Sequence, residues 1–331
     1  MDTDLSVLDL AVVRGDDTVA DALRASVAVA QCAEANGYRR VWYAEHHNMA
    51  SIASSATSVL IAHVAAHTER IRLGSGGVML PNHSPLTIAE QFGTLATLHP
   101  GRIDLGLGRA PGTDQATVRA LRRDPAAAES FPNDVLELQG FLGERSRVAG
   151  VRAIPGQGTE VPLYILGSST FGAQLAAQLG LPYGFASHFA PAALTQAVEL
   201  YRARFAPSDQ ADTPHVIAAV NLIVADTSEE AAYELHRATR ARVGALLAPG
   251  RRLSDPELDS LVASPAGRQV ASMMTYTASG TPEAVVEYLE WFRGHADADE
   301  LIVVPASRSV EGRLGSLKLL AEATGLVARS A

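Results

Sequence analysis

A glutamate and two adjacent histidines follow a short apolar run in the stretch Val-Trp-Tyr-Ala-Glu-His-His-Asn at residues 41–48. An imidazole with a pKa near neutrality can accept or donate a proton. Adjacent histidines in an extended chain point to opposite sides, so His46 and His47 make a poor ligand pair for one metal ion, and we expect none. Glu45, His46 and His47 therefore predict proton transfer or ligand contact. The alternative is a set of histidines that only complete hydrogen bonds at a packed site.

A glycine-rich stretch, Gly-Ser-Gly-Gly at residues 74–77, interrupts a second apolar run. Glycine within a strand pattern indicates a bulge, or a backbone that lies close to a ligand. Gly76 and Gly77 would let a flat ring approach the backbone. The alternative is a twisted strand that needs small residues on its inner side.

Two further features are suited to binding an anion. Arg109 directly follows an apolar strand pattern and stands among glycines, where a guanidinium can bind an anionic group. Ser168 and Ser169 begin a predicted helix that includes Gly172, and hydroxyl groups together with free N–H groups at a helix start can bind phosphate. The alternatives are a surface ion pair for Arg109 and simple capping by the serines. Together these features predict a phosphate-bearing ligand with a histidine near it.

Alternating strand and helix patterns would position these residues. The predicted helices cover residues 18–36, 54–67, 86–98, 169–179, 192–205 and 228–247, and the predicted strands cover residues 5–13, 39–44, 71–80, 102–108, 161–166, 183–187, 215–225 and 300–304. The strands are nearly continuous apolar runs, which is typical of a parallel sheet buried on both faces. Eight such β/α units favour an α/β fold of the (β/α)8 TIM barrel type over an open doubly wound sheet.

The predicted barrel would bring the chemical residues together, because active sites of such barrels lie where the strands end. Most of the additional residues fall in 110–160 and 249–279. We therefore predict a single domain over residues 1–331, with insertions after strand four and before strand eight.

The composition excludes several classes of partner. The net charge is −9, from 27 basic and 36 acidic residues, which argues against nucleic acid or an acidic membrane surface. No apolar stretch is long enough to form a membrane helix, and the start of the chain lacks a signal-peptide pattern. The single cysteine, Cys32, excludes an intrachain disulfide and a cysteine-cluster metal site. We expect a soluble cytoplasmic protein.

These motifs, in this order, resemble the bacterial-luciferase-like flavin monooxygenase family, and most closely its single-chain FMN-linked subgroup. The residues that carry the resemblance are Ala-Glu-His-His-Asn at 44–48, Leu-Gly-Ser-Gly-Gly-Val-Met-Leu-Pro-Asn-His at 73–83, Gly-Arg-Ala-Pro-Gly at 108–112 and Leu-Gly-Ser-Ser at 166–169. The likeness is dense over residues 5–190 and thinner beyond them.

The resemblance implies a luciferase-like barrel that binds FMN at its C-terminal mouth. A non-prolyl cis peptide would join two glycines beside the flavin ring, while an arginine and the start of a helix would hold the FMN phosphate. The cofactor-binding residues would be Gly76, Gly77, Arg109, Ser168, Ser169 and Gly172.

The resemblance also implies a catalytic site and a reaction. His46 would be the catalytic histidine, with Glu45 beside it. Reduced FMN would come from a separate flavin reductase and react with O₂, so that one oxygen atom enters a small organic substrate. Gly108 replaces the cysteine that luciferases carry before the phosphate-binding arginine, so we do not expect light emission.

Assembly and rival functions complete the prediction. We expect a homodimer formed through the helices at residues 54–67 and 86–98. One alternative function is a dehydrogenase that uses coenzyme F420 on the same fold and transfers hydride without O₂. Another is a non-catalytic flavin-binding protein, and the absence of suitable ligand spacing disfavours a metal-dependent hydrolase.

Overall fold

Parallel β-strands form one sheet in the computed structural model, which describes residues 3–15, 17–110 and 113–327. Strands β1 to β6 pair in sequence order, β6 pairs with β7, β7 with β9, and β9 with β1. These eight strands close a barrel. The strands are β1 (Asp4–Asp9), β2 (Arg40–Tyr43), β3 (Arg72–Met79), β4 (Ile103–Gly108), β5 (Leu163–Gly167), β6 (Tyr183–Phe185), β7 (Val216–Val224), β8 (Thr277–Gly280) and β9 (Glu300–Pro305).

The predicted (β/α)8 barrel is confirmed, and each of the eight predicted strands corresponds to one barrel strand. Strand β8 was not predicted. It pairs with the C-terminal half of β7, beyond the point where β6 ends, and so lies outside the barrel. Its sequence, Thr-Ala-Ser-Gly, contains no apolar run that would indicate a strand.

Helices surround the barrel and form the two insertions. They are α1 (Val19–Ala35), α2 (Thr57–Ala65), α3 (Pro85–Leu98), α4 (Gln115–Ala120), α5 (Phe131–Leu142), α6 (Thr170–Leu179), α7 (Leu194–Arg204), α8 (Ser228–Leu247), α9 (Asp255–Ala263), α10 (Pro265–Ala271), α11 (Pro282–His295) and α12 (Val310–Thr324). Helices α4 and α5 lie in the predicted insertion after strand four. Helices α9 and α10 and strand β8 occupy the one before the last barrel strand. That residues 1–331 form a single domain stays a prediction.

The strands bury both faces, as their continuous apolar sequences predict. In β9, Leu301 and Val303 belong to the main core shared with the surrounding helices, whereas Ile302 and Val304 belong to a separate cluster with Leu8 and Trp42. This alternation follows from the twofold periodicity of a strand, which places successive side chains outside and inside the barrel.

The interior of the barrel is charged rather than apolar at the end where the strands begin. Arg40, only 1% exposed, donates hydrogen bonds to Asp104 at 2.8 Å and to Glu300 at 3.1 Å. Tyr164 accepts a further hydrogen bond from Arg40 at 2.8 Å. Arg40, Asp104 and Glu300 stand at or near the first residue of their strands, so this network lies opposite the mouth at which such barrels react.

No helix within the described residues has the length and the apolar character needed to cross a membrane.

Candidate active site at the C-terminal mouth

The strand register brings the predicted site residues to one end of the barrel. Tyr43 of β2 pairs with Ser75 of β3, so Glu45 and Gly77 each follow two residues later at the same level. Gly108 of β4 pairs with Leu166 of β5, so Arg109 lies beside the start of the turn that leads into α6. Because all the strands are parallel, these residues share the C-terminal mouth.

The glycine pair forms the predicted bulge and the predicted cis peptide. The register between β3 and β4 shifts between Ser75 and Val78, and the Gly76–Gly77 peptide bond is cis. A Cβ atom on Gly77 would lie 2.6 Å from the carbonyl oxygen of Gly106. Packing within the barrel is therefore sufficient to require glycine at 77, as the small-residue alternative stated. A flavin ring beside this pair stays a prediction.

Arg109 stacks on the first turn of α6 instead of forming a surface ion pair. Its guanidinium carbon lies 4.1 Å from the centre of the Phe171 ring, and its Nε donates to the carbonyl oxygen of Ala128 at 3.2 Å. No carboxylate in the described part of the chain is within ion-pair distance of it. Stacking thus holds a free cation beside the start of a helix. Pro111 and Gly112 of the same motif lie outside the described residues.

The start of α6 offers unused hydrogen-bond donors. Ser169 is the residue before the helix, yet its side chain makes no capping hydrogen bond, and Ser168 and Ser169 are both exposed. The first N–H groups of the helix, through Gly172, have no acceptor within the helix. Tyr183 supports the turn by donating to the carbonyl oxygen of Ser169 at 3.0 Å. Together with Arg109, these donors fit a phosphate group.

Glu45 is the centre of a hydrogen-bond cluster at the end of β2. One carboxylate oxygen is 2.8 Å from Nε2 of His47 and 2.8 Å from Nε2 of His83, and the other accepts from the backbone N–H of Met79 at 3.3 Å. Burial raises the pKa of Glu45, but the hydrogen bonds from the two histidines outweigh it, and the pKa is lowered. A charged Glu45 therefore ties the end of β2 to the end of β3.

The same three side chains could offer one metal-ligand atom each, all within 4.8 Å of one another. The sequence argument against a metal considered His46 with His47 and overlooked His83. Both nitrogen-to-oxygen separations in the cluster are 2.8 Å, the length of a hydrogen bond, and both converge on one oxygen. This geometry is that of two N–H donors on one carboxylate.

His46 takes no part in the hydrogen bonds of this cluster. Its Nδ1 atom is buried and has no hydrogen-bond partner among the described residues. Burial lowers the pKa of His46, and the neighbouring Glu45 raises it less. The imidazole is therefore neutral near pH 7, with a ring nitrogen available to accept or donate a proton.

Sequence reasoning missed a second histidine at the mouth. His188 follows β6, which is opposite β2 in the ring of eight strands, and it is 5% exposed. Its Nδ1 atom also lacks a partner among the described residues. Burial, then the charges of Arg242 and His46, lower the pKa of His188 to about 3. Its position directly after a predicted strand was the signal that could have identified it.

Comparisons with known proteins identify relatives over nearly the whole chain. A profile described as luciferase-like monooxygenase matches residues 3–296. A luciferase-like monooxygenase of Escherichia coli is 45% identical over 317 residues, which cover 95% of each chain. An N-acetyl-S-alkylcysteine monooxygenase of Bacillus subtilis is 35% identical and covers 96% of this chain and 97% of its own.

Solved structures share the fold. Apo-MsnO8 superposes with a TM-score of 0.89 at 34% identity, covering 99% of this chain and 100% of its own. An FMN complex of the oxygenating constituent of 3,6-diketocamphane monooxygenase from Pseudomonas putida has a TM-score of 0.69 at 15% identity, covering 97% of each chain. An F420-dependent secondary alcohol dehydrogenase has a TM-score of 0.67 at 17% identity, covering 100% of each chain. The last two show the fold alone. With the profile match and the two relatives, the sequence and the barrel establish that this chain belongs to the luciferase-like monooxygenase family.

Proposed function

We propose that this protein is the oxygenating component of a two-component flavin monooxygenase. It would take FMN reduced by a separate flavin reductase and use O₂ to insert one oxygen atom into a small organic substrate. The observation that carries the proposal is the free guanidinium of Arg109, stacked on Phe171 beside the uncapped start of α6, at the same mouth as His46.

The chain's own groups fit the phosphate of such a cofactor. Arg109 supplies a charge that no described carboxylate neutralises, and Ser168 and Ser169 supply exposed hydroxyls. The N–H groups of the first helical turn, through Gly172, add donors aligned with the helix dipole. Gly76 and Gly77 would border the ring at the same level of the barrel.

The remaining residues would manage protons and water at the reacting centre. When bound, reduced FMN supplies the electrons that activate O₂. His46 is neutral and has a buried ring nitrogen without a partner among the described residues, so it can move a proton there. Glu45 keeps its charge and holds the surrounding loops through His47 and His83, which limits the access of water.

One observation favours FMN over coenzyme F420. The relatives at 35% and 45% identity carry the names of monooxygenases. Both cofactors carry a phosphate, so the Arg109 site does not discriminate between them. The unpartnered ring nitrogen of His46 argues against a flavin-binding protein without catalysis.

Anaerobic titration with reduced FMN and with reduced F420, followed by rapid mixing with oxygenated buffer, tests the proposal. We expect tight binding of reduced FMN and a reaction of the complex with O₂ that differs in rate from that of free FMN. Preference for F420 without reaction with O₂ would identify a dehydrogenase. Binding of neither cofactor would refute the proposal.

We also propose that the protein forms a homodimer through α2 and α3. A hydrogen bond from Ser58 to Gln91 at 2.8 Å links these helices. Their apolar side chains Val59 and Leu98 are 68% and 65% exposed, so a partner subunit could cover them. Light scattering coupled to size-exclusion chromatography should give twice the chain mass for the wild type. Val59→Glu should shift the mass towards that of the monomer. A monomeric wild type would contradict the proposal.

A further inference from the structure

We propose that the mouth carries a second anion-binding site, formed by Arg242 and His188, which binds the carboxylate or sulfonate group of an acidic substrate. The inference deepens the proposed function by naming a substrate class. It rests on that function for the reaction, but the binding itself can be tested alone.

Arg242 is a half-buried cation that has no counter-ion among the described residues. It lies on α8, and its Nη1 donates to the carbonyl oxygen of His188 at 3.2 Å. Burial lowers its pKa, and no acidic group counteracts this effect. Desolvation of a charge is costly unless another group compensates it. A ligand that brings a negative charge would supply that compensation.

The other arginines of α8 show that this lack of a partner is specific. Arg237 forms an ion pair with Glu234 at 2.8 Å, and Arg240 forms one with Asp255 at 3.0 Å. Within the described residues, Arg242 has no such pair. The helix therefore neutralises two of its arginines and leaves Arg242, which contacts the His188 backbone, without a carboxylate partner in the described part of the chain.

Two buried ring nitrogens accompany this cation. Nδ1 of His188 and Nδ1 of His46 both lack partners in the described part of the chain. Asn221 donates to the carbonyl oxygen of His188 at 2.9 Å and so fixes the His188 backbone beneath Arg242. Glu45 offers no compensation, because its charge does not act on Arg242, whose pKa responds to burial alone. The site thus has unused donors and no free acidic acceptor.

This site is distinct from the proposed phosphate site. Arg109 contacts Phe171 and Ala128, whereas Arg242 contacts His188, and the two arginines share no partner. One anion site would hold the cofactor phosphate, while the other would hold the charged end of a substrate. His46 lies close enough to His188 to influence the His188 pKa, so the second site is near the proposed catalytic residue.

Isothermal titration calorimetry with hexanoate, hexanesulfonate and neutral hexanamide tests the inference, with and without oxidised FMN. We expect both anions to bind at least about tenfold more tightly than hexanamide, since a charged hydrogen bond is lost in the amide. Their ratio reports whether the site prefers a planar carboxylate or a tetrahedral sulfonate.

Arg242→Gln should weaken anion binding at least about tenfold, while hexanamide and FMN bind as in the wild type. Arg237→Gln, on the same helix, is the matched control and should change nothing. Arg242→Lys keeps the charge and should retain part of the affinity, and melting curves of each variant check folding.

Several results would overturn the inference. These are equal binding of anions and hexanamide, unchanged anion affinity in Arg242→Gln, and weaker FMN binding in that variant, which would assign Arg242 to the cofactor. If FMN fails to bind while Arg242 still controls anion affinity, the proposed function falls and the anion site stands.

Discussion

Arg109 and His46 lie at one mouth in different surroundings. Arg109 is exposed and stacked on a ring, and no carboxylate of the described residues neutralises it. His46 has a buried nitrogen without a partner among the described residues and a pKa lowered by burial. The first arrangement suits binding, and the second suits proton transfer, so substitutions at the two positions should separate affinity from turnover.

Arg109→Gln should weaken FMN binding without changing the fold. Loss of a charged hydrogen bond costs roughly 1.5–3 kcal/mol, or about 10- to 150-fold in Kd. Quenching of flavin fluorescence measures the affinity. Arg119→Gln, an exposed arginine on α4, serves as the control. Unchanged affinity in Arg109→Gln would place the phosphate elsewhere.

His46→Gln should leave FMN affinity within about twofold but reduce oxygenation of a substrate found by screening by about 100-fold or more, the usual contribution of a proton-transfer group. Product formation by mass spectrometry measures the loss. His63→Gln, an exposed histidine on α2, should be fully active. An active His46→Gln variant would remove His46 from the mechanism.

At the scale of elements, hydrogen bonds between loops hold the mouth together. Glu45 follows β2, while its partners Met79 and His83 come from the end of β3 and the turn behind it. Arg109 after β4 likewise stacks on Phe171 of α6. These contacts join elements that are neighbours in the barrel but distant in the chain.

The Glu45 cluster should be independent of metal. Because its separations are those of hydrogen bonds, we expect substoichiometric metal in the purified protein by inductively coupled plasma mass spectrometry. EDTA should leave the melting temperature and FMN affinity unchanged. One tightly held zinc ion per chain, lost in a Glu45→Gln variant, would show instead that this cluster binds metal.

On the scale of the whole molecule, the two ends of the barrel carry different polar groups. The C-terminal mouth has donors without partners among the described residues, whereas the opposite end is closed by Arg40 with Asp104 and Glu300. These three residues come from three strands, and Asp104 and Glu300 lie 64 and 260 residues from Arg40 along the chain. The network should therefore affect stability and leave the chemistry at the mouth unchanged.

Arg40→Met should destabilise the protein by about 3–5 kcal/mol, because it leaves Asp104 and Glu300 buried beside an apolar side chain. Urea unfolding followed by circular dichroism measures this loss. Arg24→Met removes an exposed ion pair with Asp21 and should cost less than about 1 kcal/mol. Equal losses of stability in the two variants would show that the network does not stabilise the fold.

Glu300 should also make stability depend on acid. Burial raises its pKa, but the charge of Arg40 and the hydrogen bonds from His215 and Ser6 together outweigh that effect, and the pKa falls from 4.5 to about 2. The stabilisation is therefore complete above pH 4.5 and is lost as the pH falls towards 2. The loss of stability between pH 6 and pH 3 should be roughly 2 kcal/mol. Urea unfolding of Glu300→Gln should show a correspondingly weaker pH dependence, and an unchanged dependence would exclude this carboxylate.

The amino-acid sequence by itself determined the barrel and the end at which the motif residues meet. Apolar runs are local signals, so the eight barrel strands could be recognised one by one, and the residues after them had to meet at one mouth. Strand β8 was not predicted, because its sequence Thr-Ala-Ser-Gly has no such run.

Only the tertiary structure decided which side chains meet. Strand register and barrel closure bring His83 to Glu45, Phe171 beneath Arg109, and Arg242 to His188. None of these pairs has a local spacing that a pattern could reveal, because each joins residues from different β/α units. The lowered pKa of His188 also depends on the tertiary structure, because this side chain is buried only in the folded chain.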